Sequence, residues 1–196
     1  MFSKTEIYNI ALTNLGISSP LQNYNESDPR AIILNNYYDL ARDTVLEMHD
    51  WSFAGAFKKL SNSIEESPDP RFQYCFKLPN DCIASRAIID PVDNKEKEFY
   101  PMTDINGAQV IVTNSNPCIL RYTRRVENTS YFTAAFVNAL GYYLAYQIAI
   151  NITGSANKKN TNYKDFQMAI RQAMLTDARK TVNHDQDDFI YTDSRD

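Results

Sequence analysis

Between residues 132 and 153 the chain carries Phe132, Phe136, Leu140, Tyr143, Leu144, Ile148 and Ile152 at three- and four-residue steps, with Ala134, Ala135, Ala139, Ala145 and Ala149 set among them. The spacing predicts a helix over 132–153, and its apolar character runs nearly all round the cylinder. In water such a helix has to be enclosed, so the rest of the chain must supply elements to cover it. That makes it the expected central helix. Thr153-Gly154 marks its end, because glycine readily takes the left-handed turn that closes a helix.

Three further helices are legible. Ser3-Lys4-Thr5-Glu6 has the S-x-x-E form of a capping box, and Ile7, Ile10, Ala11 and Leu15 follow on one face up to Gly16, which predicts a helix over 4–15. Asp28-Pro29 opens a second one over 29–48, with proline at a position where its missing N–H costs nothing. Its stripe is Leu34, Tyr37, Tyr38, Ala41, Val45 and Met48. Ser155 can cap a fourth over 157–181, where Tyr163, Phe166, Ile170, Ala173, Met174 and Ala178 form the stripe and Lys164, Arg171, Arg179 and Lys180 the solvated charge.

From about residue 52 to 126 the helical period disappears, and prolines at 68, 70, 79, 91, 101 and 117 cut the chain into short runs that read as strands. The candidates are 72–78, 83–90, 97–100, 109–113 and 119–125, with Asn106-Gly107 as the strongest hairpin signal. The order of elements predicts an α+β fold, mainly an antiparallel four-helix bundle with a β-rich insertion between helices two and three. Residues 1–182 are expected to form one domain. Residues 183–196 are polar and aspartate-rich apart from Phe189, Ile190 and Tyr191, and are expected to be a flexible arm that orders on a partner.

The search for chemistry yields little. Five glycines leave scant material for a phosphate-cradling loop or a dinucleotide fingerprint, and no G-x-S-x-G or H-E-x-x-H pattern occurs. Of two histidines, His49 stands at the expected end of helix two, where it suits the free carbonyls. Cys75, Cys82 and Cys118 lack metal-type spacing and read as reduced, buried thiols. Glu65, Glu66, Asp69 and Asp81 are the carboxylates a sugar-cleaving enzyme would need, yet all lie in polar, proline-bordered loops. Arg121, Arg124 and Arg125 alternate faces on a strand, which favours ion pairs or interface contacts over a phosphate grip. No catalytic residue, cofactor or metal is therefore expected.

A net charge of −4 offers phosphates no broad attraction, so sequence-specific DNA binding is disfavoured, while a wall past which DNA slides is compatible with it. The start of the chain shows no apolar signal core and no run reaches membrane-spanning length, so synthesis and assembly in the cytoplasm without membrane insertion are expected. The 13 tyrosines and 10 phenylalanines suit surfaces that are part apolar and part wet, and equally a chain's own core.

Several segments, in order, carry a family resemblance: Ala11-Leu12-Thr13-Asn14-Leu15-Gly16-Ile17, then Tyr38-Asp39-Leu40-Ala41-Arg42-Asp43-Thr44-Val45-Leu46 and Trp51-Ser52-Phe53-Ala54. Phe76-Lys77-Leu78-Pro79-Asn80-Asp81-Cys82, Leu120-Arg121-Tyr122-Thr123-Arg124-Arg125-Val126 and the alanine- and tyrosine-rich third helix complete the set. Together they resemble the head-to-tail adaptors of short-tailed bacteriophages, also called tail tubular protein A or ring proteins. Of these residues, Trp51 is expected to plug the junction between helices and strands, Leu78-Pro79 to end a strand, and Asp81 to bond the turn backbone.

The resemblance implies a structural subunit of the virion, not an enzyme. It would form a homo-oligomeric, dodecameric connector ring beneath the portal protein, bind a downstream tail or nozzle protein, and leave a lumen through which DNA passes. Terminal arms in such rings reach neighbours, which points to Phe189, Ile190 and Tyr191 as portal or neighbour contacts. Two rivals stand beside it: a peptidoglycan hydrolase associated with the tail, using Glu65, Glu66 and Asp81, and a host-directed binding module.

Overall fold

A computed structural model describes residues 1–61, 67–92 and 94–190, with the side chains of 181–190 left undescribed. The chain divides into two compact units, Met1–Phe53 with Val126–Asp196, and Ala54–Arg125. The first holds four helices: α1 (Lys4–Asn14), α2 (Pro29–Glu47), α3 (Ala134–Thr153) and α4 (Ala156–Ile190). The second holds seven strands: β1 (Gly55–Leu60), β2 (Tyr74–Lys77), β3 (Cys82–Ile89), β4 (Glu96–Lys97), β5 (Phe99–Thr103), β6 (Gln109–Thr113) and β7 (Cys118–Arg124).

The expectation of an antiparallel four-helix bundle with a β insertion is corrected: the fold is mixed α+β, with four helices and two antiparallel sheets. The reason lies in α3. Its buried residues include Phe136, Val137, Leu140, Gly141, Leu144, Ala145, Ile148 and Ala149, and α1, α2 and α4 all pack against it. Each fully buried Leu, Ile, Val or Phe gains roughly 1.5–3 kcal/mol over exposure, so covering α3 outweighs the helix-by-helix neighbouring that a bundle requires. The helices form a hub and spokes.

Local chemistry fixes the ends of these helices. The capping box forms, with Glu6 N–H donating to Ser3 Oγ at 3.2 Å and Ser3 N–H donating to Glu6 Oε2 at 2.6 Å. At the other end of α1, Gly16 sits at φ +74°, Ile17 N–H reaches Leu12 O and Gly16 N–H reaches Thr13 O, a paired closure that only a left-handed residue permits. Asp28 caps α2 through Arg30 N–H at 2.7 Å, Thr133 caps α3 through Phe136 N–H at 3.3 Å, and Gly154 closes α3 at φ +66°. α4 continues to Ile190, beyond the residue at which its apolar stripe ends in the sequence.

In the strand unit the sheet orders are β1-β7-β3-β4 and β2-β6-β5, every pairing antiparallel. Leu60, Phe76, Ile88, Ile111, Cys118, Leu120 and Tyr122 form a core drawn from both sheets. Phe72, Cys75, Val110 and Val112 form a second cluster, so β6 is buried on both faces and reads Val-Ile-Val without alternation. The β5–β6 hairpin turns through Gly107 at φ +81°, with Asp104 Oδ1 accepting from Asn106 N–H and Ala108 N–H. The strands differ from expectation in two places: β1 is an addition to the candidates, and in place of the single candidate 97–100 stand β4 and β5.

Gly141 lets α1 approach α3 closely: a Cβ there would lie 2.5 Å from Ile10 Cγ2 and 3.4 Å from Ile10 Cβ. Helix propensity alone favours Gly141→Ala by up to about 1 kcal/mol. The clash reverses the sign, and the expected outcome is a net loss of about 1–3 kcal/mol in urea denaturation. A second expectation concerns acid. Hydrogen bonds from Ser3 hold the Glu6 carboxyl below its ordinary range. Its contribution is therefore present above the ordinary glutamate value, about 4.3, and is lost as pH falls through the lower folded value. Glu6→Gln should remove that part of the acid dependence in a pH series of denaturation curves.

Candidate functional site

Three groupings of polar side chains are candidates for function, and each is decided by its geometry. The first joins Asp177 of α4 to the segment after α2. Asp177 is 4% exposed; its Oδ2 accepts from Ser52 N–H at 2.8 Å, its Oδ1 from Ser52 Oγ–H at 2.7 Å, and His49 Nε2 stands 3.5 Å from Oδ2. Serine, histidine and aspartate thus meet, but in an order unsuited to acyl transfer. A nucleophilic serine has to donate to an imidazole that the carboxylate orients. Here the carboxylate lies between the other two and takes the serine proton's hydrogen bond itself. The grouping is a clamp on the chain between α2 and the strands.

Trp51 is locked by the same segment. It is fully buried, its indole N–H donates to Val45 O at 2.9 Å, and its ring meets Phe136 edge-on at 5.1 Å and His49 at 4.9 Å. Phe53 and Phe132 extend the aromatic cluster, each within 6.0 Å of a ring already in it. All of these residues belong to the helical unit.

The second grouping surrounds Lys4. Its ammonium stands over the rings of Tyr38, Tyr24 and Tyr8 at 4.6, 5.1 and 5.6 Å from their centroids, an aromatic cage filled by the chain's own lysine. Burial draws the Lys4 pKa below the usual lysine value, and Asp39 opposes that shift. Tyr8 Oη donates to Asn35 Oδ1 at 2.8 Å, whereas the buried Tyr38 hydroxyl has no hydrogen-bond partner among the described residues. Burial pushes the Tyr38 hydroxyl up to about 12. A cleft of about 430 Å³ opens beside the cage, lined also by Arg42 and Asn128. Arg42 is 5% exposed and spends its donors on Asp43 at 2.8 Å and Asp39 at 3.0 Å.

The third lies in the strand unit, where Leu78, Pro79 and Asp81 line a cleft of about 450 Å³ with Lys58, Lys59 and Lys77. Leu78 N–H donates to Gln109 O and Cys82 N–H to Pro79 O, so the proline ends β2 and turns the chain into β3. Asp81 serves through its main chain, accepting from Arg125 N–H at 2.6 Å, while its carboxylate accepts from Tyr122 Oη at 3.3 Å. Among the residues expected at the junction, the structure brings Leu78, Pro79 and Asp81 together and places Trp51 in the other unit.

The remaining candidates are quickly placed. Asp69 is paired with Arg71 at 2.7 Å, and that guanidinium holds its carboxyl below the ordinary range, the opposite of what a general acid needs. Glu65 and Glu66 lie outside the described residues, as do Tyr191 and the side chains of Phe189 and Ile190. Arg121 faces Glu96 at 3.6 Å, and Arg86 Nε donates to Thr123 Oγ1. All three cysteines are free thiols; burial raises each, Cys118 to about 12. Among the described residues no cluster of metal-ligating side chains occurs, and no helix is long and apolar enough to cross a membrane.

Sequence reasoning missed the clamp and the cage. Asp177 did leave a trace: it follows Phe166, Ile170 and Ala173 at four-, three- and four-residue steps, an acid set within an apolar stripe. The Lys4 cage left none, because its rings come from three separated segments. No protein-family model matches the sequence, and no curated protein matches it.

Removing the buried carboxylate takes away both hydrogen bonds from the exposed Ser52 and the charge that faces His49. Asp177→Ala is expected to lower stability by about 2–4 kcal/mol, against at most about 1.5 kcal/mol for Ser52→Ala, which removes one hydrogen bond and leaves no buried charge unpaired. Urea unfolding of the two variants beside the wild type checks the ordering.

Proposed function

We propose that this chain is a structural subunit of a bacteriophage connector ring, joining the portal to the tail and bordering the channel through which DNA leaves. The observation that carries the reading is the outward side of the helical unit. Ile32 and Leu40 of α2 are 53% and 63% exposed, and Met168 and Leu175 of α4 are 64% and 57% exposed. Two large apolar side chains exposed on one face of each helix, among charged neighbours, offer an apolar centre with a polar rim, the make-up of a contact surface.

Support also comes from where the adaptor-like segments fall. Ala11 and Leu12 of α1 and Leu15 at its C-terminal cap are buried ahead of the Gly16 closure, Trp51 anchors the aromatic cluster, and Leu78-Pro79 makes the β2–β3 turn. The net charge of −4 lets DNA pass without the phosphate neutralisation that makes binding tight. The polar groupings described above fit clamps and turns, and the Asp69–Arg71 pair favours no hydrolase.

Purified virions of the parent phage should contain the chain in multiple copies per particle, and imaging of the neck should place it between portal and tail. Its absence from particles, or a different polypeptide in that density, would overturn the reading. Mixing with purified portal protein should give a co-migrating complex in size-exclusion chromatography.

A further inference from the structure

The outer faces of α2 and α4 are complementary in charge and matched in apolar spacing. On α2, Ile32, Asn36, Asp39, Leu40, Asp43 and Glu47 fall within one arc of the helix at 100° per residue. Ile32, Asn36, Asp39, Leu40 and Glu47 are exposed, and Asp43 is partly so. This face carries three carboxylates, with Arg42 beneath it bonded to Asp39 and Asp43. On α4, Lys164, Met168, Arg171, Gln172, Leu175 and Arg179 occupy one arc, all exposed. That face carries three cations and no acid; Asp165 lies at its margin, and Asp177 points the other way into the clamp.

Apolar side chains punctuate both faces at nearly the same interval. Ile32 and Leu40 are about 12 Å apart along α2, and Met168 and Leu175 about 10.5 Å apart along α4, at 1.5 Å per residue. Both helices pack on α3, so the two faces are carried by one rigid core and cannot fold onto each other. The acidic face of one molecule can be met by the basic face of another.

We infer that the α2 face of one copy docks on the α4 face of the next, a heterologous contact between copies of this chain. The occupant follows from complementarity: each face is the match, in sign and in apolar spacing, of a face the same chain already displays. Two different patches in contact do not close on a two-fold axis, so the contact propagates and closes only as a ring. The inference rests on the connector reading and deepens it by naming the surfaces between subunits. The apolar pairs supply adhesion, while the flanking charges set the pairing and its register.

The experiment uses two full-length variants, Leu40→Asn, which removes the apolar anchor of the α2 face without adding charge, and Leu175→Asp, which sets an acid among the cations of the α4 face. Both sites are more than half exposed, and thermal melts like the wild type confirm folding. Wild type is expected to self-associate in sedimentation velocity, and the affinity should fall about tenfold or more on raising salt from 50 to 500 mM, as for any charge-steered contact. Each variant alone should be monomeric. Mixed, the two should form a dimer and stop there, because Leu175→Asp retains the α2 face that the intact α4 face of Leu40→Asn can accept. Assembly of either variant at wild-type affinity, or no dimer on mixing, overturns the face pairing while leaving the connector reading to particle composition. Intact self-association with loss of portal binding reassigns the faces to the portal and likewise overturns it. A wild type that stays monomeric at millimolar concentration overturns the pairing, and absence from virions overturns the connector reading independently.

Discussion

Enclosure of α3 is the constraint on which the helical unit depends. Apart from exposed positions such as Asn138 and Asn151, its surface is apolar and costly to wet, so α1, α2 and α4 are each committed to covering part of it. That commitment sets their remaining geometry. Gly141 exists because α1 lies too close for a side chain, and Lys158 Nζ crosses from α4 to cap Leu15 O at the end of α1. Asp177, about five turns further along α4, fastens the segment that leaves α2. Three spokes are thereby tied to one another at their ends as well as to the hub.

Helix termini were legible because their chemistry is local. A capping serine with its glutamate, an aspartate before proline and a glycine after the last apolar residue act within a few positions of one another, and the backbone bonds they imply are made. The arrangement of helices was not legible, since a bundle and a hub impose similar stripes on each helix separately. What distinguishes them is the number of sides on which one helix is covered, and the all-round apolarity of 132–153 was the relevant signal, read there as centrality within a bundle.

Among the strands, β6 and β7 were visible as apolar runs, but β1 was not. Gly55-Ala56-Phe57-Lys58-Lys59-Leu60 lacks alternation because the strand lies at the margin of its sheet, where only Leu60 is buried. The candidate sites followed the same rule. The turn at Pro79 is a short-range object, whereas the Asp81 carboxylate, expected to bond the turn backbone, accepts instead from Tyr122, a residue far off in sequence. The Lys4 cage gathers tyrosines from α1, the following loop and α2, a convergence that only folding reveals.

The strands at the rims of the two sheets carry a consequence for any protein that gathers many copies of itself. β1 bears consecutive exposed lysines, β4 is two residues long, and β5 has Pro101 in its middle. Ammonium groups resist being sandwiched, a two-residue rim offers little template, and proline withholds a main-chain donor. Fibre growth by strand accretion is opposed at these three of the four rims, the fourth being β2. A neighbouring strand that approached β1, β4 or β5 would therefore find a repelling, a short or an interrupted template.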